Sequence, residues 1–194
     1  MFCAGADIGE LSANASDPAW RARNQLAINT AQHDLAHADK PVIAFIDGDC
    51  VGGGCGLALA CDIRVATPRA RFGITPAKLG LVYPLHDTKL LVDLVGPGQA
   101  KRILFTGALL DADEALRIGL IDLIADSPDA LVDSIAANSM HSTRQSKAMI
   151  RRILDGQSAD DAETLHMFAA AFEGADFSEG VAAFLAKRRP HFTK

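Results

Sequence analysis

The stretch Val51-Gly-Gly-Gly-Cys-Gly-Leu-Ala-Leu-Ala-Cys-Asp62 joins three contiguous glycines to a run of small apolar residues. The apolar segment Pro41–Ile46 before it predicts a short buried strand, followed by a turn at 47–49. Residues Leu57–Cys61 predict a helix, and Asp62–Ala66 predict the next strand. A strand, a glycine-rich turn, a helix and a second strand in this order indicate an α/β fold.

The glycine turn is also a candidate binding site. Backbone N–H groups at the start of a helix have no partner within the helix and lie at its positive end. Because glycine lacks Cβ, Gly52–Gly54 allow a ligand oxygen to approach the backbone, which suits an anion or a developing oxyanion. On the glycines alone, close helix–strand packing without a ligand is an equally good interpretation. The contiguous glycines match neither a dinucleotide fingerprint nor a P-loop.

The remainder of the chain changes character near residue 126. Before that point, Arg71–Gly73 and Leu120–Ile124 predict strands, and Asp111 predicts a helix N-cap in a capping box with Glu114. Further helices are predicted at 89–95 and 99–105. From Pro128 onward the apolar spacing predicts helices only. We therefore expect an α/β core at residues 1–126 and a helical region at residues 127–194 that packs on itself and on partner subunits.

Composition limits the classes of function. The 194 residues carry a net charge of -5 and are 49% hydrophobic, which is typical of one compact globular domain. The negative charge disfavours nucleic acid and anionic membranes as partners. No apolar run reaches membrane-spanning length. The four cysteines lack paired metal-ligand spacing, so we expect no metal site, free thiols and a cytoplasmic location.

Several motifs occur together in a recognisable order. They are Phe2-Cys-Ala-Gly-Ala-Asp-Ile8, Lys40-Pro-Val-Ile-Ala44, Asp47-Gly48, Gly52-Gly-Gly-Cys-Gly-Leu-Ala58, Cys61-Asp62, Phe72-Gly73, Leu79-Gly80, Leu104-Phe-Thr-Gly107, Gly119-Leu-Ile-Asp122 and Phe184–Arg188. In order and spacing the chain resembles the crotonase superfamily, the enoyl-CoA hydratase/isomerase family, over nearly its whole length.

The resemblance implies a thioester site. In that family two backbone N–H groups bind the thioester carbonyl of an acyl-CoA, and the matching positions are Ala6 and Gly53. The loop containing Ala4, Ala6, Asp7 and Ile8 would line CoA, and Lys187 would contact the CoA phosphates. Coenzyme A enters as part of the substrate, so no separate cofactor is expected.

The family fold is a spiral of β-β-α units followed by a helical trimerisation region, and its trimers commonly pair into hexamers. Most of the first units have no counterpart here, so we expect the sequence to be an N-terminally truncated member.

The chain departs from the family at the acid–base positions. Hydratases of the family use two glutamates, and the matching residues here are Gly56 and Pro76, neither of which titrates. Ordinary two-glutamate hydration is therefore not expected. The candidates that remain are His86, whose ordinary pKa suits proton transfer, and Asp87. Two alternatives stay open: Asp87 as a helix N-cap and His86 as a surface residue. Tyr83 is expected to pack in the core.

Three hypotheses follow. The leading one is an acyl-CoA enzyme that stabilises a thioester enolate with atypical acid–base residues. The second is a non-catalytic CoA-binding or oligomeric scaffold, suggested by the missing glutamates. The third, a phosphate or nucleotide binder that uses the glycine helix, is weakened by the absent phosphate-binding lysine.

Overall fold

The computed structural model describes residues 1–192, and its α/β part is organised around the glycine turn. Strand β2 (Asp49–Val51) leads into Gly52, whose φ of 57° only glycine adopts easily, and helix α3 (Gly53–Ala60) begins at the next residue. The helix therefore starts four residues before the predicted Leu57. Glycine is a poor helix former, but α3 is buried along most of its length, and tertiary packing overrides the propensity.

The α/β part contains two small sheets. In one sheet β3 (Ile63–Ala66) lies between β1 (Ile43–Ile46) and β6 (Leu123–Ile124), and all three strands are parallel. In the other sheet β4 (Arg71–Gly73) pairs with β2 in parallel and with β5 (Leu110–Asp111) in antiparallel orientation. The predicted strand at 71–73 is confirmed.

One turn prediction and one strand prediction were inexact. Asp49 belongs to β2 and not to the preceding turn, because its carbonyl accepts hydrogen bonds from the N-terminal segment. The last predicted strand shortens to residues 123 and 124. Leu120 and Ile121 instead form a buried turn in which both amides donate to the carbonyl of Ala115.

The N-terminal segment lies against the glycine turn. The amide of Cys3 donates to the carbonyl of Asp49 at 3.0 Å, and the amide of Val51 donates to the carbonyl of Cys3 at 2.9 Å. A Cβ at Gly54 would lie 2.3 Å from the Cys3 oxygen. Overpacking of this kind costs about 1–3 kcal/mol, whereas alanine gains only about 1 kcal/mol over glycine in a helix. Glycine is therefore required at position 54.

The other helices of the α/β part are α1 (Ile8–Ala13), α2 (Pro18–Ala36), α4 (Leu85–Thr106) and α5 (Ala112–Arg117), and a short 3₁₀ turn lies at Pro76–Leu79. Helix α4 joins the two predicted helices across a kink at Gly96, where φ is 71°. Asp111 caps α5 as predicted, since its carboxylate accepts from the amide of Glu114 at 2.9 Å.

The C-terminal helices are α6 (Asp129–Ala136), α7 (Met140–Leu154), α8 (Ala162–Glu173) and α9 (Ala175–Leu185). The predicted α/β class with a helical C-terminal region is confirmed. The chain divides into two compact units, one of residues 1–38 and 42–128 and the other of residues 39–41 and 129 onward. Within residues 1–192, none of the helices is both long and apolar enough to cross a membrane.

Candidate active site

The loop at Ala4–Ile8 approaches the glycine turn at its backbone. Gly5 has φ of 91°, and a Cβ there would lie 2.8 Å from the carbonyl oxygen of Val51 and 3.2 Å from the amide nitrogen of Gly53. A Cβ on Gly53 would in turn lie 3.8 Å from Cα of Gly5. The two segments therefore meet main chain to main chain, which only glycine at position 5 permits.

Two amides at this junction are unused. In residues 1–192, neither the N–H of Ala6 nor that of Gly53 donates a hydrogen bond. The neighbouring amide of Gly52 is occupied, because it donates to the carbonyl of Gly73 at 2.8 Å. Gly53 is also the first residue of α3, where the positive end of the helix lies. The junction thus offers two backbone donors, from Ala6 and Gly53.

Asp7 fixes the loop that carries one of these donors. Its carboxylate accepts from the amides of Gly9 at 2.7 Å and Glu10 at 3.2 Å and so caps helix α1. The predicted CoA-lining residues Ala4, Ala6, Asp7 and Ile8 are all exposed. They remain candidates for contacting a ligand, and Asp7 has a structural task as well.

The two positions that the resemblance matches to the glutamates of hydratases are Gly56 and Pro76, and neither residue carries an acid–base group. Pro76 is the first residue of the 3₁₀ turn. Gly56 lies inside α3, and a Cβ there would be 2.5 Å from Oδ1 of Asp87, 2.5 Å from Nε2 of Gln32 and 3.4 Å from the hydroxyl of Tyr83. Other polar side chains therefore occupy the space beside α3 that a side chain at position 56 would need.

Asp87 is the buried carboxylate of this cluster. It is 2% exposed, and the one hydrogen bond that its side chain accepts among the described residues comes from Nε2 of Gln32, at 2.7 Å. The N-cap interpretation of Asp87 was wrong. Helix α4 begins at Leu85 with Pro84 as its N-cap, so Asp87 lies inside the first turn. His86, the neighbouring candidate, is exposed.

Tyr83 and Gln32 complete the cluster. Tyr83 packs in the core, as predicted, and its buried hydroxyl has no hydrogen-bond partner among residues 1–192. Burial raises the pKa of its phenol, and the nearby charge of Asp87 raises it further, so Tyr83 is a neutral donor. Gln32 lies on the polar helix α2 but is 0% exposed, and no local sequence pattern indicated its burial.

Lys187 lies just beyond helix α9. Its amide donates to the carbonyl of Phe184 at 3.1 Å, and the amide of Arg188 donates to the carbonyl of Ala183 at 3.0 Å. These two bonds form a Schellman motif, in which the residue at position 187 is usually glycine. Lys187 adopts φ of 52° instead.

An ion pair holds the end of this helix. Arg188 donates to both carboxylate oxygens of Glu179, at 2.6 and 2.9 Å. Arg188 and then the amide of His191 lower the pKa of Glu179 to about 2. This support allows a non-glycine residue to remain in the left-handed conformation at position 187.

The glycine turn at the start of a helix and the helical C-terminal region place the protein in a structural class, the α/β folds of the crotonase type. An enoyl-CoA hydratase/isomerase family structure from Hyphomonas neptunium superimposes with a TM-score of 0.91 at 45% identity, covering 99% of this chain and 76% of that one. Enoyl-CoA hydratase from Bacillus anthracis gives a TM-score of 0.84 at 32% identity, covering 98% and 76%.

Sequence comparison agrees with the structures. Residues 1–194 match the family described as enoyl-CoA hydratase/isomerase. The crotonyl-CoA hydratase of Syntrophomonas wolfei is 36% identical over 202 residues, which cover 98% of this chain and 75% of the relative. The chain therefore belongs to the enoyl-CoA hydratase/isomerase family. The expectations from the motifs are confirmed at the level of family and fold, and the relatives' names do not favour a non-catalytic scaffold.

Because Lys187 adopts a left-handed conformation, replacing it with glycine should affect both stability and CoA binding. In Lys187→Gly, relief of left-handed strain is worth about 1–2 kcal/mol, and the added freedom of the unfolded chain offsets about 0.4–1 kcal/mol of it. We expect a thermal midpoint equal to or above that of the wild type. If Lys187 contacts the CoA phosphates, affinity for CoA falls roughly tenfold, since a charge-assisted hydrogen bond is lost.

Calorimetric titration with CoA measures this affinity, and Lys101→Gln is the control for loss of one exposed lysine. Unchanged affinity in Lys187→Gly would remove Lys187 from the CoA site.

Proposed function

We propose that the protein acts on acyl-CoA thioesters and stabilises a thioester enolate with the backbone N–H groups of Ala6 and Gly53. The observation that carries the proposal is the pair of unused amides at the junction of the loop and the glycine turn. Charge collects on the thioester oxygen when the adjacent carbon loses a proton. Donors fixed in advance at that oxygen typically lower the barrier by about 2.7–4 kcal/mol each.

Asp87 is the proposed acid–base residue. Its carboxylate lies next to Gly56 on α3, the helix whose first residue provides one of the two amides. In a saturated acyl-CoA it would remove a proton from the carbon beside the thioester carbonyl, and the electron pair would pass to the carbonyl oxygen. In water addition to an enoyl-CoA it would take the proton from the water and give it to that carbon. His86, the other candidate, is exposed and does not belong to the buried cluster.

The names of the relatives suggest the substrate and the reaction. One is called crotonyl-CoA hydratase, and another, from Clostridium acetobutylicum, is called short-chain-enoyl-CoA hydratase and is 33% identical. We therefore propose water addition to a short 2-enoyl-CoA, with one buried carboxylate in place of two glutamates. Ala4, Ala6, Asp7 and Ile8 would line CoA, and Lys187 would contact its phosphates.

Proton exchange at the carbon beside the thioester tests this proposal directly. Incubated with butanoyl-CoA in deuterated water, the wild type is expected to introduce deuterium at C2, detected by mass spectrometry. Asp87→Asn keeps the size and the contact with Gln32 but cannot accept the proton, so exchange should fall by about 10²–10⁴-fold. His86→Gln is the control and should exchange at a rate near that of the wild type.

Binding of CoA without exchange or turnover of any acyl-CoA would refute the proposal and support the scaffold alternative. Equal exchange rates in Asp87→Asn and the wild type would show that Asp87 is not the acid–base residue, while the proposed enolate stabilisation would stand.

We further propose that the helical region joins copies of the chain into trimers or dimers of trimers. In support, a groove of about 950 Å³ in this region is lined by aromatic residues, and Phe172 packs edge-on against Phe168 and Phe177 at centroid distances of 5.3 and 5.2 Å. Leu185 borders the same groove and is 75% exposed. So much apolar surface on a single chain is typical of an interaction site.

Sedimentation equilibrium is expected to give a mass of three or six chains for the wild type. Leu185→Ser should shift the distribution toward smaller species, because it removes apolar contact area in every copy. Leu26→Ser, at a residue 67% exposed on the polar helix α2, is the matched control and should leave the mass unchanged. A monomeric wild type would contradict the proposed assembly.

A further inference from the structure

We propose that Tyr83 and Gln32 form a binding site for a single oxygen atom beside Asp87, and that this site holds the water that adds to the enoyl group. The inference rests on the proposed function, because it assumes that an acyl-CoA is bound at the Ala6–Gly53 pair. It adds Tyr83 and Gln32 to the proposed site, and neither residue matches one of the two glutamates that hydratases use.

The three side chains come from separate parts of the fold and converge on one point. Gln32 projects from α2, Tyr83 precedes α4, and Asp87 lies in the first turn of α4. Around the position of a Cβ on Gly56, the nearest atoms are Oδ1 of Asp87 and Nε2 of Gln32, both at 2.5 Å, and then the Tyr83 hydroxyl at 3.4 Å. All three residues are at least nine-tenths buried.

Two polar atoms of this cluster have no partner. Among residues 1–192, both Oε1 of Gln32 and the hydroxyl of Tyr83 are buried without a hydrogen bond. Nearly all buried polar atoms in folded proteins are paired, and each exception calls for an explanation. Two exceptions beside the same buried carboxylate indicate a place for a small hydrogen-bonding ligand.

The donors and acceptors of the cluster match those of water. Nε2 of Gln32 donates to Oδ1 of Asp87, and this leaves Oε1 as a free acceptor. The Tyr83 hydroxyl is free to donate, because its phenol stays protonated. A water molecule can therefore donate to Asp87 and to Oε1 of Gln32 while it accepts from Tyr83.

The resulting step balances with Asp87 as the only acid–base group. The water oxygen forms a bond to C3 of the enoyl group, and Asp87 takes one proton from that water. The π electrons between C2 and C3 move toward the thioester, whose oxygen gains negative charge. Asp87 then gives the proton to C2, the carbonyl re-forms, and one water has been added. In this step Tyr83 and Gln32 hold the oxygen, and Gln32 also positions Asp87.

Two reactions separate these roles. Hydration of crotonyl-CoA needs the oxygen site, whereas deuterium exchange at C2 of butanoyl-CoA needs Asp87 but no added water. Tyr83→Phe removes only the hydroxyl, so hydration should fall about 10–100-fold, while exchange stays within about twofold of the wild type. Gln32→Met also removes the contact to Asp87, so both reactions should fall.

Gln25→Met is the matched control. It makes the same substitution on the same helix, at a side chain that donates to Asn29 and not to Asp87. Both reactions should keep wild-type rates in this variant. Thermal midpoints verify folding, and Tyr83→Phe should melt at or above the wild-type temperature, because an unpaired buried hydroxyl is lost.

The possible results differ clearly. Unchanged hydration in Tyr83→Phe, or an equal loss of hydration and exchange, overturns the oxygen site while the proposed function stands. Absence of both reactions in the wild type overturns the proposed function and this inference with it. Loss of hydration alone in Tyr83→Phe, together with loss of both reactions in Gln32→Met, supports the site.

Discussion

The structure depends on the close approach of two main-chain segments, the loop at Gly5 and the turn at Gly52–Gly53. This approach needs glycine at position 5, since a Cβ there would lie 2.8 Å from a carbonyl oxygen of the turn. It is reinforced by the backbone hydrogen bonds of Cys3 with β2 and by the close contact of Gly54 with the Cys3 carbonyl. These contacts fix where the amides of Ala6 and Gly53 lie, and helix α3 and the capped loop of Asp7 hold them there.

A cluster of buried polar side chains lies beside this frame. Gly56 leaves room next to α3, and the carboxylate of Asp87 with the amide of Gln32 fills that room. A side chain at position 56 would require the side chains of Asp87 and Gln32 to move. The frame proposed to bind the thioester comes from the N-terminal loop and α3, while the group proposed to move protons comes from α4. This division agrees with a family in which one fold supports several reactions.

The sequence was most informative where local chemistry decides the structure. The strand at 71–73, the cap at Asp111 and the helical region after Pro128 follow from residue pattern and capping alone. The start of α3 at Gly53 did not follow, because burial overrides the poor helix propensity of glycine. The sequence around Asp87 favoured a helix cap. Its actual partner, Gln32, lies 55 residues away in the sequence, and a contact over that distance leaves no local pattern. The burial of Gln32 could not be predicted for the same reason.

The proposed chemistry requires that the amides of Ala6 and Gly53 bind a thioester carbonyl. Infrared difference spectroscopy of bound butanoyl-CoA, labelled with ¹³C at the thioester carbonyl, measures this most directly. Two hydrogen bonds at the oxygen polarise the C=O bond, so the labelled band should move to lower wavenumber on binding. A bound ligand whose carbonyl band stays at its position in water would contradict the account.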